Sequence, residues 1–311
     1  MKIKNLSKGQ EDFFIITIEK EEMQEINILV DGGKSGSRCV KETIESGVKK
    51  IDYIVLTHID SDHIQGLLML LKKYENYNDT IIIYNKFING LISYRQAEKF
   101  EKLIEKKEII VSYKEYQDNS GMINFVFGMM GAGKSTLLKK LVLDNKKVYF
   151  TFLSPDQDKV KNLYDYYSYY IEKGKKRTDD AEIVNRSSIM FILEYQKKSI
   201  LMTGDGYISD ILQSIEQLAD PKETVQPIIH FDLIKLPHHG STKNNLGISE
   251  LLKYIPCNKF IITNEDDGSV SISDEIKNMP SCNRIYCSNY SQKYEGMNVI
   301  ITNEIEVNNE Y

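Results

Sequence analysis

Short apolar runs recur along the chain, and amphipathic stretches separate them. The runs FFIITI (13–18), INILV (26–30), YIVLT (53–57), TIIIY (80–84) and EIIVSY (108–113) read as strands. So do VYFTFL (148–153), IMFILEY (189–195), SILMT (199–203), FDLIKL (231–236), KFIIT (259–263) and NVIIT (298–302). Helical spacing of apolar residues predicts helices near 39–47, 63–74, 93–106, 134–143, 207–218 and 247–253. The run LYDYYSYY (163–170) reads as one face of an amphipathic helix, and KKRTDDAE (175–182) as an exposed loop. Many strands interleaved with helices indicate a layered α/β or α+β fold.

Composition narrows this picture only a little. With 311 residues, 41% hydrophobic and 27% charged, the chain has ample length for a buried core. A net charge of −5 gives no global footprint for nucleic acid. No run approaches the roughly 20 apolar residues that span a bilayer, and the first residues lack a signal-peptide pattern. Cys39, Cys257, Cys282 and Cys287 have no C-x-x-C spacing, so the expectation is a cytoplasmic protein with reduced thiols and no membrane partner.

The five histidines carry the chemistry. Two sit in IDYIVLTHIDSDHIQGL, where a strand runs into His58, Asp60, Asp62 and His63 and a helix follows. Four candidate ligands within six residues of a strand-to-helix turn suit zinc, manganese or iron. Asp62 alone would be an ordinary helix cap. Two more histidines, His238 and His239, follow a strand in FDLIKLPHHGSTKN. On an extended backbone they point apart, so one binds metal while its neighbour faces substrate. Asp205 ends a third strand between glycines, and in isolation it is a turn residue. His230, inside an apolar run, reads as a core histidine.

Together these segments resemble the metallo-β-lactamase superfamily, and within it the competence-protein (ComEC/Rec2-like) branch. The resemblance rests on GQEDFFIITI, on INILVDGG ending in Asp31-Gly32-Gly33, and on the HxDxDH segment His58–His63. It continues through FTFLSPD, NRSSIMFILEYQKKSILMTGD ending at Asp205, and KLPHHGS. Asp60 replaces the commoner histidine, no histidine lies between His63 and His230, and Glu11 stands where the branch usually has glycine. The resemblance implies a single four-layer αββα sandwich and a hydrolase with two divalent ions, zinc first and manganese second. His58, Asp60 and Asp205 would hold one ion. Asp62, His63, Asp205 and one of His238 and His239, with His239 favoured, would hold the other, with metal-bound hydroxide as nucleophile. Asp62 or Asp205 would orient that nucleophile, and the histidine of the pair that is not a ligand, His238 by preference, would face the substrate. Asn185, Ser188 and Ser241 fit either orienting or packing roles. The branch points to a phosphodiester, nucleic acid included; another ester or amide is the alternative.

One motif stands apart. Residues 128–135, GMMGAGKS, satisfy G-x-x-x-x-G-K-[ST], with Gly133, Lys134 and Ser135 as candidate nucleotide contacts. A nucleotidase also needs several βα units and an acid on a second strand for Mg²⁺. Asp205 is the only acid so placed, and the resemblance gives it to the metal. Residues 86–145 therefore read as an insertion bearing a motif without its partners, and nucleotide binding is the second functional class.

Overall fold

The computed structural model describes residues 1–20, 25–73, 79–86, 95–111, 115–117, 123–125, 128–131, 134–137, 140–143, 148–175, 178–218 and 230–307. From the N-terminus come β1 (Lys2–Asn5), β2 (Phe14–Glu19), β3 (Glu25–Val30), α1 (Gly36–Glu45), β4 (Tyr53–Val55) and α2 (Ser61–Lys73). They are followed by β5 (Ile81–Tyr84), α3 (Arg95–Ile104), β6 (Ile109–Val111), β7 (Glu115–Gln117) and β8 (Ile123–Phe125). Next are β9 (Gly128–Gly131), β10 (Lys134–Leu137), β11 (Lys140–Leu143), β12 (Val148–Ser154), α4 (Gln157–Lys173) and α5 (Asp180–Arg186). Then β13 (Met190–Tyr195), β14 (Lys198–Met202), α6 (Ile208–Leu218), β15 (Leu233–Lys235), α7 (Ile248–Tyr254) and β16 (Lys259–Ile261). The last elements are α8 (Asp274–Lys277), β17 (Arg284–Cys287), β18 (Val299–Ile301) and β19 (Glu304–Glu306).

These elements form two compact units, each drawn from separated segments. The first unit comprises residues 1–11, 140–154 and 190–311, and the second residues 12–139 and 155–189.

In the second unit the strand order is β10-β9-β6-β5-β4-β3-β2. Strands β3, β4, β5 and β6 run parallel, with α1, α2 and α3 as the crossovers that parallel pairing requires. Ile28, Leu29, Ile54, Val55, Ile82 and Ile83 are buried, as expected for strands covered on both faces. The Asp31-Gly32-Gly33 turn is stapled to α2. Gly32 N–H donates to His63 O at 2.8 Å, and Gly66 N–H to Gly33 O at 2.9 Å. A Cβ on Gly66 would lie 1.8 Å from Gly32 O. Only glycine permits that approach.

The first unit holds an eight-stranded sheet in the order β11 to β18. It is antiparallel from β11 to β14 and parallel from β14 to β18. Its core packs Ile192, Leu201, Ile234 and Phe260 with Ile208, Ile211, Ile248 and Leu251. Strand β1 pairs antiparallel with β19. The mixed α/β composition, with two large sheets and helices, is the class the apolar pattern implied.

Three local expectations are corrected. Residues 134–143 are strand where described: β10 pairs with β9 and β11 with β12. Residues 180–182, read as loop, begin α5. His230 precedes β15, and its side chain is 31% exposed beside Asp232 rather than in the core. The tyrosine run does form a helix face, with Tyr166 and Tyr167 buried on α4. No helix among the described residues is long and apolar enough to cross a membrane.

Candidate metal centre

The second unit builds its cluster where β4 gives way to α2. Val55 ends the strand, and His58 and His63 flank the turn with ring centroids 4.0 Å apart. Both rings are buried. Asp31, in a left-handed conformation at φ 56°, organises them. Its Oδ1 accepts from Thr57 N–H at 2.8 Å, and its Oδ2 accepts from the Thr57 hydroxyl at 2.7 Å. Its Oδ2 also lies 2.8 Å from His63 Nδ1, and Thr57 Oγ1 lies 3.1 Å from His58 Nδ1. A carboxylate bound to Nδ1 fixes the tautomer and leaves Nε2 as the coordinating nitrogen. Asp12 approaches the same Nδ1 at 4.0 Å. Asp12, Asp31 and His63 could by proximity hold an ion, but the short Asp31–Nδ1 contact makes this an orienting group.

Asp60 and Asp62 are less committed. Asp60 is 43% exposed on its side chain, with Oδ2 3.6 Å from His58 Nε2. Asp62 is half-buried in the first turn of α2. Tyr167, on α4, is fully buried. Burial first, then Tyr166, Asp60 and Glu101, push its phenol well above the usual range. It therefore remains protonated, as an O–H donor. Asn185 and Ser188 are buried nearby in sequence to Ile189, whose N–H donates to Thr57 O at 2.9 Å.

The first unit builds its cluster at the ends of β14 and β15. Asp205 follows β14, and His238 and His239 follow β15 in a 3-10 turn, Pro237–Gly240. The histidines are not extended. Both are left-handed, at φ 44° and 55°, a costly conformation for residues with a Cβ. As a result they do not point apart. His238 Nε2 and His239 Nε2 lie 3.6 and 3.8 Å from Asp205 Oδ2, and the three form a group able to hold a metal ion. Gly240, at φ 84°, continues the turn, where a Cβ would lie 2.7 Å from Ile262 Cδ1.

Side chains absent from the sequence reading hold this turn. Thr263 Oγ1 lies 2.8 Å from His239 Nδ1, and Asn264 Nδ2 donates to His239 O at 2.9 Å. Asn245 Nδ2 donates to Pro237 O and Ser241 O, each at 2.8 Å. Lys235 is fully buried. Its ammonium donates to Gly204 O at 2.9 Å and lies 3.8 Å from Asp205 Oδ1. Asp205 thus keeps an internal counter-ion on one oxygen and turns the other toward the histidines. Lysine within an apolar run offered no signal; Asn245 and Asn264 offered none either.

In each unit taken by itself, the donors suit a divalent cation. The Nε2 atoms of His58, His63 and His239 are buried and make no hydrogen bond, while each ring's Nδ1 is held. Imidazole nitrogens with carboxylate oxygens are the donors that zinc and manganese take. The motif at 128–135 fares differently. Lys134 and Ser135 lie on β10, paired with Gly131 and Met130. The helix N-terminus that cradles phosphate is replaced there by a strand. Gly133 lies outside the described residues.

Residues 24–151 match the model of the metallo-beta-lactamase superfamily. The superfamily match takes in Asp31 and the whole His58–His63 segment. No curated protein matches the sequence. Among solved structures, a diphosphatase from the PhnP family aligns over 98% of this chain and 97% of its own, at 13% identity and TM-score 0.46. A metal-dependent hydrolase of the beta-lactamase superfamily aligns over 84% of this chain and 87% of its own, at 12% identity and TM-score 0.45.

Proposed function

We propose that the protein is a metal-dependent hydrolase of the metallo-β-lactamase superfamily, acting on a phosphodiester, nucleic acid included. The observation that carries the reading is the convergence of Asp205, His238 and His239 within one unit. The superfamily match over the HxDxDH segment supports it. The phosphodiester and the competence-like branch rest on the order of motifs along the sequence.

In this reading His58, Asp60, Asp62 and His63 of the second unit, and Asp205 and His239 of the first, are the residues that the sequence motifs assign as ligands of divalent ions. Ions held there would supply Lewis acidity toward a phosphoryl oxygen and acidify water. The chain's own residues do the rest. Asp31 and Thr57 fix the rings of His58 and His63, and Thr263 fixes His239. Lys235 balances Asp205, and His238 stands beside the reacting atoms. Both left-handed histidines are held by backbone and amide contacts, so little reorganisation accompanies the reaction.

Metal analysis of purified protein by mass spectrometry tests the reading, with bis-p-nitrophenyl phosphate as substrate. The expected result is about two equivalents of zinc or manganese per chain and turnover that disappears in His63→Ala. Protein that takes up neither metal and hydrolyses nothing after loading would overturn it.

A further inference from the structure

His238 and His239 are adjacent, yet their Nδ1 atoms meet different partners. Thr263 carries a hydroxyl, which gives or takes a proton as its neighbour requires. Asn244 carries an amide, whose two ends differ. Its Nδ2 donates to Asp205 O at 2.8 Å and to Gly206 O at 3.0 Å. Main-chain carbonyls only accept, so turning the amide over would lose both bonds. Oδ1 is therefore the atom that faces Ser241 Oγ at 2.7 Å and His238 Nδ1 at 3.2 Å. An amide oxygen has no proton to give, so the proton in that contact belongs to Nδ1. Ser241 Oγ closes the arrangement by accepting from Asn244 N–H at 3.2 Å. Asn244 is buried.

We infer that Asn244 is a positioning residue that fixes neutral His238 as the Nδ1–H tautomer. Nε2, 3.6 Å from Asp205 Oδ2, then carries the lone pair. His238 meets the reaction as an acceptor, through Nε2. It binds a cation or takes a proton, and gives none while neutral. The same amide ties Asp205 and Gly206 to the histidine turn, so one side chain sets both the direction and the tautomer of His238. The tautomer is a property of the metal-free fold; only its catalytic consequence rests on the hydrolytic reading.

Long-range ¹H–¹⁵N correlation of histidine-labelled, metal-free protein tests it. The measurement is made near pH 8.5, about two units above the ordinary histidine pKa, with His238→Gln to assign the resonance. The wild type is expected to carry its proton on Nδ1. Asn244→Asp, which keeps an acceptor, is expected to retain that pattern, and Asn244→Leu to move the population toward Nε2–H. In loaded protein, Asn244→Leu is expected to lower kcat by roughly 10–100-fold. Wild-type His238 protonated on Nε2, or a tautomer unchanged in Asn244→Leu, would overturn the inference. If Asn244→Leu does not fold, the wild-type and Asn244→Asp spectra decide alone, since Nε2–H in either refutes the lock. An Nδ1–H spectrum in protein that binds no metal would leave the inference standing and remove the proposed function.

Discussion

Lys235 has no exposed surface, and its ammonium faces one oxygen of Asp205. Removing one member of a buried charge pair leaves the other uncompensated, typically at about 3–5 kcal/mol. Lys235→Met is accordingly expected to lose about that much stability in urea unfolding with chelator present. Asp205→Asn added to it should recover most of the loss, because the orphaned charge is then gone. Additive losses would show that the pair is not coupled. The cysteines give a second prediction. Burial raises Cys257 to about 12, and burial alone raises Cys287 to about 11. Higher thiol values mean less thiolate at pH 8, so both should resist iodoacetamide in the native protein. Cys282 is exposed and should be alkylated first, as peptide mass spectrometry would record. Among candidate site residues, the grouping of His58 with His63, and of Asp205 with the histidine pair, was legible because ligand types cluster at strand ends. Asp12, Lys235, Asn244 and Thr263 were not. Their roles come from contacts across loops, and a lone lysine or asparagine looks the same wherever it sits.

Among the elements, α2 depends most on one residue. Gly66 lies against Gly32 and Cys39, where a Cβ would overlap backbone at 1.8 Å and the Cys39 side chain at 2.8 Å. Gly66→Ala is expected to destabilise by about 3 kcal/mol, the upper end of ordinary overpacking. It should also shift His63, since Gly32 N–H holds His63 O. Denaturant unfolding and metal affinity measured together check this; unchanged metal affinity would mean that α2 moves without its histidine. The apolar runs were legible as strands because burial on both faces leaves continuous Ile, Val and Leu. The stretch around Lys134 was misread because GKSTLLKK has helical composition, and local propensity is a weak prior. Pairing decides it instead: Met130 lies opposite Ile109, and Ser135 opposite Met130. Strands β1 and β19 were missed for the same reason. Each is short and alternates polar with apolar residues, and each is defined by a partner about 300 positions away.

For the whole molecule, bound metal should appear as stability. An ion that binds only the folded chain adds about 2.7 kcal/mol at a free concentration 100 times its Kd. Thermal scans are expected to show a Tm that rises with added zinc or manganese and falls with chelator. A Tm indifferent to both would count against a folded-state site. That the chain divides into two units of interleaved segments was beyond the reach of composition, which shows no linker at either boundary.

The pairing of β1 with β19 also has a consequence in time. Synthesis at about 5–20 residues per second puts roughly 15–60 seconds between the emergence of Lys2 and that of its partner Glu306. Through that interval β1 presents an open strand edge and Ile3 lacks the cover that its native burial implies. A nascent chain therefore carries β1 unclosed on this side throughout that interval, the state in which chaperones and neighbouring chains compete for such an edge.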